Sequence, residues 1–281
     1  MNLSDANTLK SLLSRHGFSF KKSLGQNFLI DSSVCPQMAD AACDKNTGVL
    51  EIGPGIGVLT KELSKVAKKV VAIELDERLK KLLPITLEGC DNIEIIYGDA
   101  MKLDLRRIIE VHFSDCEKVS VCANLPYYIT SPIVMMLLES KFPIESITVM
   151  VQLEAAERLC AKVGTRQAGA VTVAVSYYSD AEILFPVGRE SFMPSPNVDS
   201  AVIQLKVREN PPIEVKDEKK FFSLVKAAFA QRRKTLVNTL SNTLGINKDS
   251  IRLALAEIGL KDTARAEELT IEELAKLSEL L

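Results

Sequence analysis

The chain has 281 residues, 47% of them hydrophobic and 26% charged, with a formal net charge of -2. That length suits one large domain with a smaller appendage, and the composition is that of an ordinary folded protein. No uninterrupted apolar run approaches the ~18 residues of a membrane span, and Met1-Asn2-Leu3-Ser4-Asp5 is not a charged-then-apolar leader, so a cytoplasmic protein is expected.

Charge is uneven along the chain. Beyond Lys261 six acids stand against two bases, which leaves residues 1–261 with a net +2. The bases there cluster, as in Lys21-Lys22, Lys68-Lys69, Arg106-Arg107 and Arg232-Arg233-Lys234. Such clusters make a phosphate-binding face when they converge, and each alone equally suits a solvated helix surface. The cysteines (35, 43, 90, 116, 122 and 160) form no Cys-x-x-Cys pair, and the histidines are His16 and His112. No metal site is expected, and the thiols read as small core fillers in a reducing compartment.

From Val49 onward short apolar runs alternate with amphipathic stretches, the pattern of a parallel sheet with helices on both faces. Strands are expected at Val49 to Ile52, Val70 to Glu74, Ile93 to Tyr97, Val119 to Ala123 and Ile147 to Val151. Helices are expected around Val58 to Val66, Glu77 to Leu83, Leu105 to Val111, Pro132 to Glu139 and Leu153 to Lys162. Val171 to Tyr178 alternates like a strand and is long enough for a helix, so its pattern leaves both open. Ala201 to Val207 reads as a late strand. Asn210-Pro211-Pro212 then interrupts the pattern, which sets a first domain at residues 1–208 and a second, small and helical, at 209–281. In that tail Phe221, Leu224, Val225, Ala228, Phe229, Leu236, Val237 and Leu240 predict one long amphipathic helix, and Thr270 with Glu273 a capping box opening the last.

Three strand ends carry groups suited to a nucleoside. Glu51-Ile52-Gly53-Pro54-Gly55-Ile56-Gly57 joins the first strand to its helix, and its glycines allow close main-chain approach. Val58 stands where a dinucleotide fingerprint would be completed, and Pro54 removes an amide that a pyrophosphate would use, which favours a cofactor without a diphosphate. Glu74 ends the next strand, placed for ribose hydroxyls, and Asp99 ends the third, placed for an adenine amino group. Each acid alone would also serve as a helix cap. A fourth strand end presents Asn124-Leu125-Pro126-Tyr127: carbonyls of Asn124, Leu125 and Pro126 suit an adenine amino group, and Tyr127 a stacked base.

Together, Gly53-Pro54-Gly55-Ile56-Gly57, Glu74, Asp99 and Asn124-Leu125-Pro126-Tyr127 resemble the S-adenosylmethionine-dependent ribosomal RNA adenine dimethyltransferases. Leu24-Gly25-Gln26-Asn27-Phe28-Leu29-Ile30-Asp31 and Phe192-Met193-Pro194-Ser195-Pro196-Asn197-Val198-Asp199-Ser200 are similar to that family's opening and closing signatures, and Gln231-Arg232-Arg233-Lys234-Thr235-Leu236 adds a likeness in the tail. The resemblance implies a Rossmann-like class I methyltransferase with a seven-stranded α/β sheet, a helical 171–178 segment, and S-adenosylmethionine held by Gln26, Asn27, Leu29, Gly53, Gly55, Glu74, Leu75, Asp99, Ala100 and Asn124. It further implies a flipped adenine facing Asn124, Leu125 and Pro126 and sandwiched by Tyr127 and Phe192, with Gln26 and Phe28 closing the amino-terminal arm. The substrate implied is a pair of adjacent adenosines near the 3' end of small-subunit ribosomal RNA in a pre-assembled subunit, with the enzyme a monomer; large-subunit methylation is the near rival and a non-catalytic assembly or transcription factor the distant one. Val163 and Ala168 depart from the family, which commonly has a proline and an aromatic residue there, in a loop expected to touch RNA.

Overall fold

A computed structural model of the protein describes residue 3, residues 5–17 and residues 27–281. Its elements are α1 (Ala6–Arg15), β1 (Phe28–Leu29), α2 (Val34–Ala42), β2 (Thr47–Ile52), α3 (Val58–Val66), β3 (Lys69–Glu74), α4 (Leu83–Thr86), β4 (Ile93–Tyr97), α5 (Leu105–His112), β5 (Lys118–Asn124), α6 (Tyr127–Glu139), β6 (Ser146–Gln152) and α7 (Leu153–Leu159). There follow α8 (Ala170–Tyr178), β7 (Ser179–Val187), β8 (Phe192–Met193), β9 (Ser200–Val207), α9 (Glu218–Ala228), α10 (Leu236–Leu244), α11 (Lys248–Glu257) and α12 (Ile271–Leu280).

Seven strands form one sheet in the order β4-β3-β2-β5-β6-β9-β7, and β1 pairs with β8 in a separate two-stranded ladder. Strands β4, β3, β2, β5 and β6 are parallel neighbours, whereas β9 runs antiparallel to β6. Every residue of β2 is buried, as are Val119 to Ala123 of β5, so these strands need cover on both faces. Helix α2 packs on β5 and β6, α3 on β3, and α6 on β6. Each fully buried aliphatic side chain in these layers, such as Leu63 on α3, contributes about 1.5 to 3 kcal/mol of burial free energy. Chain order runs outward from β2 to β4 on one side and from β5 to β6 on the other. The crevice beyond the carboxyl ends of β2 and β5 is therefore the switch point at which such sheets bind ligands.

Several features differ from the expectation or resolve it. The helix expected from Pro132 begins at Tyr127: Pro132 lies inside α6 and forgoes one main-chain bond, while Ile133, Val134, Leu137 and Leu138 of the same helix are buried. The helix expected at 77–83 is a 3-10 turn, Glu77–Lys81, followed by the one-turn α4 restarted by Pro84. The open 171–178 segment is helical. The long tail helix is two, α9 and α10, because the apolar stripe lapses where Arg232 and Arg233 stand three and four residues beyond Phe229. Strand β7 has no clean alternation of burial and gave no period-2 signal.

The chain divides into two compact units, residues 1–156 with 182–207, and residues 157–181 with 208–281. Residues 157–181, which the sequence set in the first domain, thus belong to the second unit. In the second unit α8 packs against α9 through rings: Tyr177 lies 5.7 Å from Phe221, and Tyr178 stacks on Phe222 at 5.4 Å. Helix α9 also packs on α10 and α12. In the same unit Arg232 donates to the Arg166 carbonyl at 2.7 Å, fastening the 163–168 loop to the basic run.

Candidate active site

A cavity of about 380 Å³ opens at the carboxyl ends of β2, β3, β4 and β5, entirely within the first unit. Its walls include Asn27, Leu29, Gly53, Gly55, Glu74, Leu75, Asp99, Ala100, Asn124, Leu125, Pro126, Tyr127 and Phe192, so the described candidate residues are brought to one place. Gln26, with Leu24 and Gly25 of the opening signature, lies outside the described residues.

The glycine turn is built by positive backbone angles: φ is +74° at Gly53, +57° at Gly55 and +87° at Gly57. L side chains rarely adopt this region, so glycine is required at each bend. The Gly53 amide donates to the Ile73 carbonyl at 2.9 Å and the Gly57 amide to the Pro54 carbonyl at 2.9 Å, which lashes the turn to β3 and closes it. A methyl group at Gly55 would lie 3.2 Å from the Phe28 ring, so the turn and the β1 strand are in close contact.

Glu74 is the hinge of this half. Its Oε2 accepts from the Gly55 amide at 3.0 Å and its Oε1 from the Asp76 amide at 2.6 Å, while the Gly98 amide donates to its carbonyl at 2.8 Å. Burial raises its pKa, and the amide bonds from Asp76 and Gly55 oppose that rise. Each carboxylate oxygen keeps a lone pair for a hydroxyl donor. One strand over, Asp99 accepts from the Met101 amide at 3.0 Å and faces Lys102 Nζ at 3.3 Å. Leu75 and Met101, 54% and 46% exposed, offer apolar flanks beside the two acids.

Sequence reasoning passed over Glu51. Its side chain lines the cavity while only 1% exposed, and Oε2 has no hydrogen-bond partner among the described residues. Burial pushes its carboxyl up to about 8; a favourable approach of the Thr60 hydroxyl is outweighed, and the Glu74 charge adds to the rise. The signal was an acid set inside the apolar run Val49-Leu50-Glu51-Ile52. Cys35, Met101, Tyr128, Ile129 and Ile133 also line the cavity and were not assigned. The Cys35 thiol is held far above its ordinary range by burial and is inert as a nucleophile.

The other half is built on β5 and the start of α6. Asn124 is the last residue of β5, and its side-chain amide has no hydrogen-bond partner among the described residues. Pro126 caps α6, which puts Tyr127 and Tyr128 in its first turn. The Tyr127 hydroxyl bonds the Ser200 hydroxyl at 2.7 Å, so the last residue of the closing signature fixes that ring. Asp199 holds the segment before it, accepting from the Arg189 amide at 3.1 Å through its side chain and from the Leu153 amide at 3.0 Å through its carbonyl.

The opening and closing signatures meet. Phe28 pairs with Met193 and Leu29 with Phe192, the Ile30 amide donates to the Ser191 carbonyl at 2.8 Å, and the Ser191 hydroxyl donates to Asp31 at 3.2 Å. This ladder carries Leu29 and Phe192 into the same cavity, Phe192 being 4% exposed.

The chemistry of the walls selects the ligand. Glu74 and Asp99 supply the carboxylates, Glu51 adds a carboxyl whose proton burial retains, and no lysine, arginine or histidine is among the described lining residues. Such a cavity favours a cationic nucleoside and opposes a diphosphate, as the missing Pro54 amide also does. S-adenosylmethionine, a nucleoside bearing a sulfonium and an ammonium, fits these residues.

The family description "Ribosomal RNA adenine dimethylase" matches residues 17–281. The chain is 50% identical over 276 residues to Ribosomal RNA small subunit methyltransferase A of Geobacillus thermodenitrificans, covering 97% of this chain and 94% of that one. It is 48% identical, with the same coverage, to the protein so named from Bacillus licheniformis. Among solved structures it is similar to a dimethyladenosine transferase from Plasmodium falciparum, with 26% identity, a TM-score of 0.73 and coverage of 89% and 95%. It is also similar to the 23S rRNA methyltransferase ErmE, with 29% identity, a TM-score of 0.68 and coverage of 90% and 99%. Matched along almost its whole length, the chain belongs to the ribosomal RNA adenine dimethylases, methyltransferases that use S-adenosylmethionine.

Proposed function

We propose that the chain dimethylates the exocyclic amino nitrogens of two adjacent adenosines near the 3' end of small-subunit ribosomal RNA, within a pre-assembled small subunit and as a cytoplasmic monomer. The observation that carries this reading is the convergence of Glu74, Asp99 and the Asn124-Leu125-Pro126-Tyr127 segment on one cavity. Preference for the small subunit is supported by identities of 48 to 50% to small-subunit enzymes against 29% to the large-subunit enzyme. A DNA adenine methyltransferase would usually have proline where Leu125 stands.

In this reading Glu74 accepts from the ribose hydroxyls, Asp99 from the purine amino group of the donor, and Asn27, Leu29, Gly53, Gly55, Leu75 and Ala100 close around it. S-adenosylmethionine, when bound, supplies an electrophilic methyl group on a sulfonium. Asn124 and the carbonyls that follow accept the two amino hydrogens of the target adenine, drawing the nitrogen lone pair out of the ring. Tyr127 and Phe192 stack on the extruded base, each contact worth ~1 to 3 kcal/mol. The alkylated nitrogen is acidic and passes its proton to a carbonyl or to water, so no dedicated general base is required. The second unit, with Arg232, Arg233 and Lys234 exposed on it, supplies contacts to the RNA backbone.

The test is incubation of the chain with labelled methyl donor and undermethylated small subunits, followed by mapping of the modified bases. Dimethylation of two adjacent adenosines near the 3' end supports the reading. Label on large-subunit RNA, or on neither RNA, overturns it.

A further inference from the structure

Two tyrosines stand side by side at the start of α6 and are held differently. Tyr127 is half-buried, with its hydroxyl bonded to Ser200. Tyr128 lines the same cavity, is 60% exposed, and makes no hydrogen bond or ring contact with any described residue. Successive helix positions point about 100° apart, so the two rings do not share a direction. Tyr127 is the more buried of the two and Tyr128 the more exposed, which puts Tyr128 at the rim of the cavity.

The rim position has a chemical meaning. Leu75 and Met101, the other large exposed apolar groups of the cavity, follow β3 and β4 beside Glu74 and Asp99, the positions that flank the donor purine in the reading above. Tyr128 follows β5, on the far side of β2 from those two in the sheet order, beside the Asn124 segment that faces the target base in the reading above. A base drawn out of a strand leaves its chain neighbour unstacked on one face, and an exposed aromatic ring is the side chain that single-stranded nucleic acid uses as a replacement stacking partner.

We propose that Tyr128 is the stacking platform for the nucleobase next to the extruded adenine, so that it anchors the RNA strand at the cavity rim. This rests on the RNA-methylating reading above. Because the stack is sequence-tolerant, the platform takes any base, and a purine best. Tyr128 thereby acts on substrate affinity, and Asn124 and Tyr127 on the reacting base.

The experiment uses the full chain and small subunits reconstituted with unmethylated RNA, in one set carrying the natural neighbour of a target adenosine and in another an abasic nucleotide at that neighbour. Tyr128→Ala should raise KM for the natural subunit about 5- to 100-fold, leave kcat within about twofold, and leave the dissociation constant of S-adenosylmethionine unchanged. Tyr128→Phe and Tyr128→Trp should restore KM. On the abasic substrate the wild-type chain and Tyr128→Ala should converge. Wild-type KM in Tyr128→Ala, or an undiminished gap between the two proteins on the abasic substrate, would overturn the proposal. Absence of any methylation of small subunits by the wild-type chain defeats instead the choice of RNA, and the same comparison is then run on large-subunit RNA.

Discussion

The donor half and the base half of the cavity are finished to different degrees. At the tips of β2 and β3 the polar groups are already engaged: Glu74 is held by the Gly55 and Asp76 amides, and the glycine turn is lashed to Ile73. At the tip of β5 the Asn124 amide has no partner among the described residues, and Tyr128 is bare. A pre-paired carboxylate receives hydroxyls without reorganising, which suits a small ligand met on every cycle. On the proposed function the open half is completed by an extruded base, and binding energy there is realised when the right nucleotide arrives.

The contrast can be broken at four points. Asn124→Ala removes the acceptor of the open half and should lower kcat by about 10²- to 10³-fold, with thermal unfolding little changed because that side chain holds no structural bond. Turnover near the wild-type value would remove Asn124 from the chemistry. Glu74→Ala strikes the finished half and should weaken S-adenosylmethionine by about 1.5 to 3 kcal/mol, or roughly 10- to 150-fold in Kd, as measured by calorimetry.

Glu51 gives a pH signature of burial. Its folded pKa, about 8, lies above the ordinary 4.5, so the native state holds this proton more tightly than the unfolded chain does. Its contribution is full below about pH 4.5 and is lost as pH rises through 4.5 to 8, by up to about 1.4 kcal/mol per unit. Glu51→Gln should flatten that slope in denaturant melts at pH 6 and pH 8, and parallel curves for the two proteins would contradict the assignment. Ser200→Ala should have the smallest effect: freeing the Tyr127 ring costs about 1 kcal/mol, read as a few-fold rise in KM for the RNA with donor affinity unchanged.

What was legible in the chain follows the same division. Strands β2 to β6 were readable because short, mostly apolar runs alternating with amphipathic stretches admit few alternatives, and the acids at the tips of β3 and β4 were readable because open parallel sheets bind ligands there. Glu51 was not, since a single acid beside a glycine turn looks like part of the turn, and its isolation appears only once the strand is known to be covered on both faces. The β1–β8 ladder was hidden because two-residue strands far apart in sequence carry no period, so the two signatures could be recognised but not joined. Pro132 concealed the first turn of α6 and with it the different settings of Tyr127 and Tyr128. The break between α9 and α10 was visible as a lapse in the apolar stripe at Arg232 and Arg233, which a tally of apolar positions overlooked.

The central claim is that one cavity holds donor and target base on opposite sides of β2. A crystal structure of the full chain with S-adenosylhomocysteine and adenosine tests it most directly. The expected result is ribose hydroxyls on the Glu74 carboxylate, with a second purine between Tyr127 and Phe192 and its amino group on Asn124. A donor seated away from Glu74, or an Asn124 side chain turned from the second purine, would contradict it.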